Sequence, residues 1–149
     1  MVALASAGAG FLLAVLWFDL MFDVQVRGHR GPELPPEVLA SVAAYYRRVT
    51  TAAQPMTKLI AVVMFVTVAA IIKQIVDGGG AAWAGWASLG FAAVPILLAG
   101  THTVPNAVRL GSRSDTAERQ SELARSTFRE HVVCLVSISA LLAVQLSQA

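Results

Sequence analysis

Charge is what this sequence has least of. Only 13% of its 149 residues are Asp, Glu, Lys or Arg, where a soluble domain carries about 25%. Hydrophobic residues make up 56%, and the mean hydropathy is +0.66. The deficit points to lipid as the solvent. Cysteine is nearly absent too: Cys134 alone excludes an internal disulfide and multi-cysteine metal sites. A lone cysteine in an apolar run reads as a small packing residue. No internal repeat and no catalytic motif is present. The pI of about 9.1 does not point to nucleic acid, because the positive charges flank apolar runs and lack aromatic interleaving. No Lys or Arg precedes the first apolar run, and Asp19 and Asp23 interrupt its end. That run is therefore a poor signal peptide and is expected to stay as a span.

What is there is four apolar runs with basic stretches between them. Their lengths predict membrane-spanning helices at about 3–24, 56–76, 81–104 and 132–146. The chain is expected to be all-α: a single four-helix membrane domain over 1–149. Pro55 suits a first helical position. Gly78-Gly79-Gly80 is a very short turn, so the second and third spans are antiparallel neighbours. The third is expected to end or kink near Pro105. Pro36 to Gln54 reads as an amphipathic helix with Val38, Val42, Tyr45, Val49 and Ala52 near one face, lying on the membrane or packed beneath the bundle. Asp115 with Glu118 is a candidate capping pair. No Pro or Gly follows it, so the fourth span is expected to be the membrane half of one helix of roughly 30 residues.

Of the 11 Lys and Arg residues, all but Lys73 lie between Arg27 and Lys58 or between Arg109 and Arg129. Basic connectors stay cytoplasmic. Both termini are then outside, and the amphipathic helix and the extension of the fourth helix are cytoplasmic. A bacterial inner membrane fits this arrangement.

The embedded polar residues gather at the same level. Asp19 and Asp23 close the first span, Lys58 opens the second, His102 and Asn106 end the third, and Glu130 and His131 open the fourth. Asp19 and Asp23 are one turn apart and share a helix face. An Asp deep in a span costs about 2.5–3.5 kcal/mol; Arg47, Arg48, Arg109, Arg129 and the two histidines are available to offset it. Two readings fit. One is a pocket with Asp19, Asp23, His102 and His131 as acid–base groups, lined by Asn106, Arg109, Arg129, Tyr46, Arg47 and Trp17. The other is a ring of structural ion pairs that fixes helix register. His102 and His131 on different helices also admit a haem or a metal ion, or each satisfies a neighbouring carboxylate.

Tyr45-Tyr46-Arg47-Arg48 reads either as a lipid-phosphate site or as an interfacial aromatic and basic belt. Trp83 and Trp86 suit the outer interface. Trp17 either lines the pocket beside Asp19 or packs in the core. Ala5-x3-Ala9, Ser6-x3-Gly10 and Ala81-x3-Gly85 allow close helix approach, within the chain or in a homo-oligomer.

Thr101-His102-Thr103-Val104-Pro105-Asn106-Ala107-Val108-Arg109-Leu110, followed by Phe128-Arg129-Glu130-His131, resembles the third and fourth spans of anthrone-oxygenase-like membrane proteins. The Trp-rich connector of that family is missing. The resemblance implies a four-helix bundle with a polar pocket near Asn106 and, in some members, cofactor-free oxidation of polycyclic phenols. Small four-span enzymes of glutathione metabolism share the size, but here Arg48-Val49-Thr50-Thr51-Ala52-Ala53-Gln54 keeps only the Arg-Val start of their signature, which argues against glutathione chemistry.

Three functions remain. The first is a membrane enzyme or binding protein for a hydrophobic or lipid-like ligand. The second is a non-catalytic accessory subunit of a larger membrane complex. The third, a transporter, is disfavoured because polar groups do not continue across the bilayer.

Overall fold

The computed structural model describes every residue except Ala53 and, of Gln54, the backbone alone. The helices are α1 (Val2–Asp23), α2 (Pro36–Thr50), α3 (Gln54–Val76), α4 (Ala82–Leu98), α5 (Val104–Ser112) and α6 (Ala117–Leu146). A π-helical turn, Ala99–Thr103, joins α4 to α5 without a break. The described residues contain no strand. Four segments are long and apolar enough to cross a membrane: Val2–Val26, Pro55–Val76, Ala82–Ser112 and Ala117–Leu146. They close a four-cornered ring in which α1 packs on α3 and α6, and α4 packs on the same two.

The third segment does not stop at Pro105. That residue lacks the N–H that would bond the carbonyl of Thr101, and its ring crowds that carbonyl. The chain answers with the wide turn just before it and then runs on to Ser112. Pro95 frees the Phe91 carbonyl in the same way, and Ser137 Oγ of α6 donates to it at 3.2 Å. The α6 helix is 30 residues long, as the absence of Pro and Gly predicts. Its cap is Thr116, whose side chain accepts from the Arg119 N–H at 3.3 Å. Asp115 is not the cap, because the Arg109 guanidinium holds it at 2.6 and 3.1 Å.

Two apolar cores result. One lies within the ring of long helices and is built on Ala5, Ala9, Leu12, Ala70, Ile71, Ala92, Ile138 and Leu141. Helices approach closely here: a Cβ on Gly8 would meet Thr67 Oγ1 at 2.0 Å, and one on Gly85 would meet Ile75 Cγ1 at 2.5 Å. Ala5, Ala9 and Gly85 therefore serve packing within the chain, whereas Gly10 faces open space.

The second core lies at the basic end, where α2 packs under the ring against α5 and α6. It joins Val26, Leu34, Leu39, Val42, Tyr46, Leu110 and Leu123. The buried stripe of α2 is Leu39, Val42, Ala43 and Tyr46. It is rotated from the expected face, because the helix turns both tyrosines toward α1. Of the rest of that face, Val38 and Tyr45 are partly buried against the core and Ala52 is exposed beyond the helix; Ala53 and the Gln54 side chain lie outside the described residues. The connector before α2 is strapped to α6. Arg125 donates to the carbonyls of His29, Gly31 and Pro32, and Ser121 Oγ accepts from the Leu34 N–H.

Candidate functional site

Between the two cores lies a polar layer. Asp19 and Asp23 end α1 one turn apart, as their spacing predicts. Tyr45 and Tyr46, the only tyrosines in the chain, reach them from α2. Tyr45 donates to Asp19 Oδ1 at 2.5 Å and Tyr46 to Asp23 Oδ1 at 2.6 Å. Such distances are those of charge-assisted O–H bonds to a carboxylate. The other Asp23 oxygen, Oδ2, is 2.6 Å from His131 Nδ1 of α6. Asp23 is 0% exposed and Tyr46 2%. Phe22 stacks on Tyr45 with ring centroids 4.1 Å apart, and Tyr46 meets Tyr45 edge-on at 5.3 Å. Burial, reinforced by the adjacent carboxylate, raises the phenol pKa of both tyrosines above the ordinary 10.0.

Glu130 anchors a second cluster. Thr103 donates to its Oε2 at 2.9 Å, while Asn106 and Ser126 donate to Oε1 at 3.3 and 2.8 Å. A buried carboxylate costs least when its lone pairs are filled. Asp23 and Glu130 achieve this with tyrosine, histidine, threonine, asparagine and serine, while half-buried Asp19 accepts one bond, from Tyr45; among the described residues none of the three has a lysine or arginine partner. The basic residues offered by the sequence go elsewhere.

The single predicted pocket is therefore divided. Asp19, Asp23, His131 and Tyr46 come together, but as a packed hydrogen-bonded core. Tyr45 and Tyr46 are internal donors, so neither the phosphate-site nor the belt reading describes them. His102, Asn106 and Arg129 line a separate open cleft of about 420 Å³ with Arg119, Glu122, Arg125 and Ser126. His102 is exposed there while the His131 ring is buried on Asp23, so the structure does not present the two as paired ligands. Among the described residues no three of His, Cys, Asp and Glu converge as a metal ion requires. Arg109 is committed to Asp115. That bond, first of all, holds the Asp115 carboxyl below its ordinary range.

Trp17 is 60% exposed. It belongs to neither apolar core; it flanks an open, mostly apolar groove with Leu20, Met21, Val24, Phe128 and Val132, to which Arg27 adds the one charge. Arg47 lies in yet another groove, between α2 and the end of α5. Cys134 is buried packing.

Sequence reasoning missed the roles of Arg119, Arg125 and Ser126. Their spacing with Glu122 and Arg129 on one face of an unbroken helix was the available signal. It also missed a buried pair in the other half of the ring, where Gln145 Nε2 donates to Ser88 Oγ at 2.9 Å; neither residue is ionisable, so a survey of charges passes over them.

The architecture and the polar layer define an all-helical chain with four helices suited to a bilayer. Compared with family models, curated proteins and solved structures, the chain matches none.

Proposed function

We propose that this is a membrane-embedded binding protein for an anionic, lipid-like molecule, with the head held in the cleft at the basic end and the tail along α6. One observation carries this reading. The cleft face of α6 bears Arg119, Glu122, Ser126 and Arg129, and the same helical stripe continues as Val133 and Val136, which are 49% and 64% exposed. A polar recess with three arginines and a histidine thus runs into an apolar, lipid-facing strip. That sequence of surfaces matches an amphiphile with a charged head.

Acid–base catalysis has less support. A general base must reach the proton it removes, and Asp19, Asp23 and His131 are turned to their own partners. On this reading the Asp–Tyr–His layer sets helix register beneath the site. The positive-inside rule supports a cytoplasmic placement for the cleft, in a bacterial inner membrane. The resemblance to anthrone-oxygenase-like proteins agrees with a polar site near Asn106. An accessory subunit of a larger membrane complex is the second reading, favoured by the same self-satisfied layer.

Gentle purification followed by native mass measurement tests the choice. The expected result is retained lipid-sized adduct, with one equivalent fewer in Arg129→Gln. Asp19→Asn should keep the adduct, because Asp19 touches the layer and not the cleft. A wild-type chain that carries no adduct and co-purifies in fixed ratio with larger subunits would overturn the binding reading in favour of the second.

A further inference from the structure

A different recess separates α2 from the end of α5. Gly111 makes it: a Cβ there would lie 2.8 Å from the Arg47 backbone nitrogen and 2.9 Å from its Cα. The two backbones can touch only because residue 111 has no side chain. This contact brings Arg113, two residues on, to the groove that Arg47 and Arg48 enter from the last turn of α2. The groove measures about 510 Å³, and Ala40, Ala43 and Ala44 form part of its wall.

All three arginines are exposed. Among the described residues none of their guanidinium groups has an ion-pair or hydrogen-bond partner, although Arg109, Arg119 and Arg125 nearby all do. Arg113 adds a second peculiarity. It closes α5 in the left-handed conformation, φ 52 and ψ 34, and is the only non-glycine residue among those described with a positive φ. Glycine or asparagine is usual at that position; a long side chain is kept there against a steric cost. Arginines at helix ends also complement the helix dipoles, but this requires neither convergence of three nor a strained backbone.

We propose that this groove binds the phosphate of an anionic phospholipid at the bilayer surface. The guanidinium forks match phosphate geometry. The position argues for a lipid source: α3 begins its membrane-length run at Pro55, directly after α2, and the third such run ends at Ser112. Both rims of the groove therefore stand where a bilayer-spanning segment meets water, and the alanine wall suits the glycerol and first methylenes. The site is independent of the cleft on α6.

The test uses the full chain in maltoside detergent, with dihexanoyl phosphatidylglycerol, dihexanoyl phosphatidylcholine and inorganic phosphate as probes, read by native mass spectrometry. Arg113→Gly removes one cation and relieves the left-handed strain, so the fold should be kept or strengthened. It is expected to weaken phosphatidylglycerol binding on the order of tenfold, as the loss of one charge-assisted contact does. The same loss should appear in an Arg129→Gln background, which separates this groove from the cleft. Undiminished binding by Arg113→Gly overturns the proposal, as does disappearance of binding in Arg129→Gln alone. Equal binding of phosphatidylcholine removes its basis in charge, and displacement by equimolar inorganic phosphate removes its assignment to lipid.

Discussion

The two apolar cores are built on opposite principles. The core inside the ring is rich in alanine and relies on glycines that let backbones approach. The core at the basic end is made mainly of leucine, valine and tyrosine, supplied by a short amphipathic helix, the end of α5 and the first half of α6. The difference is the one that a lipid solvent around the four membrane-length helices, and water around the basic end, would produce. Lipid gives no hydrophobic drive for helix association, so close contact and shape must hold the ring together. At the basic end, expulsion of water from large side chains can do that work. The polar layer sits at the boundary and ties one to the other through α1, α2 and α6.

The sharpest way to break this arrangement is to cut the tie. Asp23→Ala leaves the Tyr46 hydroxyl and the His131 ring buried without their partner. A loss of about 3–5 kcal/mol is expected, as for a buried pair deprived of one member, with Asp23→Asn much milder. Thermal unfolding in detergent measures both; equal effects would show that the ionised carboxylate, and not the shape and hydrogen-bonding capacity that Asn keeps, is what matters.

Next comes the contrast between the cores. Leu110→Ala at the basic end is expected to cost about 2–5 kcal/mol, since it loses both transfer energy and packing. Ile138→Ala inside the ring should cost less, because its unfolded reference is already in an apolar solvent. Equal losses would erase the proposed difference in solvent.

Tyrosine ionisation sharpens the picture of the layer. Both tyrosines have raised folded-state pKa values. They contribute stability that is fully present below the unfolded value of about 10 and is lost as pH rises above it. The ultraviolet absorbance of phenolate should therefore not appear around that pH until the protein unfolds. Normal titration of either tyrosine in the folded protein would contradict the layer as described.

The smallest effect is at the edge. Asp115 is held low by Arg109. Its contribution is present above the ordinary carboxylate pKa and falls away as pH drops through the lowered folded value. Asp115→Asn should therefore lower stability slightly in the neutral region, where the carboxylate contributes, and leave the region below the lowered folded value nearly unchanged, which flattens the acid limb of a stability-against-pH curve.

How much of this was legible depended on distance along the chain. The four long helices could be read because their apolar runs exceed what a soluble core needs, and α6 because nothing in it breaks a helix. The level of Asp19, Asp23, Glu130 and His131 could be read from span depth. Their partners could not. Tyr46 looks like an interfacial residue until a turn of α2 points it inward, and the Asp23–His131 contact joins residues 108 positions apart. The choice of Thr116 over Asp115 as cap was settled by Arg109, which competes for the carboxylate. The rotation of α2 likewise depends on what packs alongside, whereas the π-helical turn is the local answer to Pro105.

The strap from Arg125 to the carbonyls of His29, Gly31 and Pro32 has a consequence for how the molecule is made. A chain emerging from the ribosome delivers α1 and α2 long before α6 exists. During that interval the two aspartates have only the tyrosines, the first connector has nothing to hold it, and the basic-end core lacks Leu110, Leu123 and their helices. The structure is therefore completed late: α6 arrives and fastens the first connector, so that the folding of α1 and α2 waits on the translation of α6.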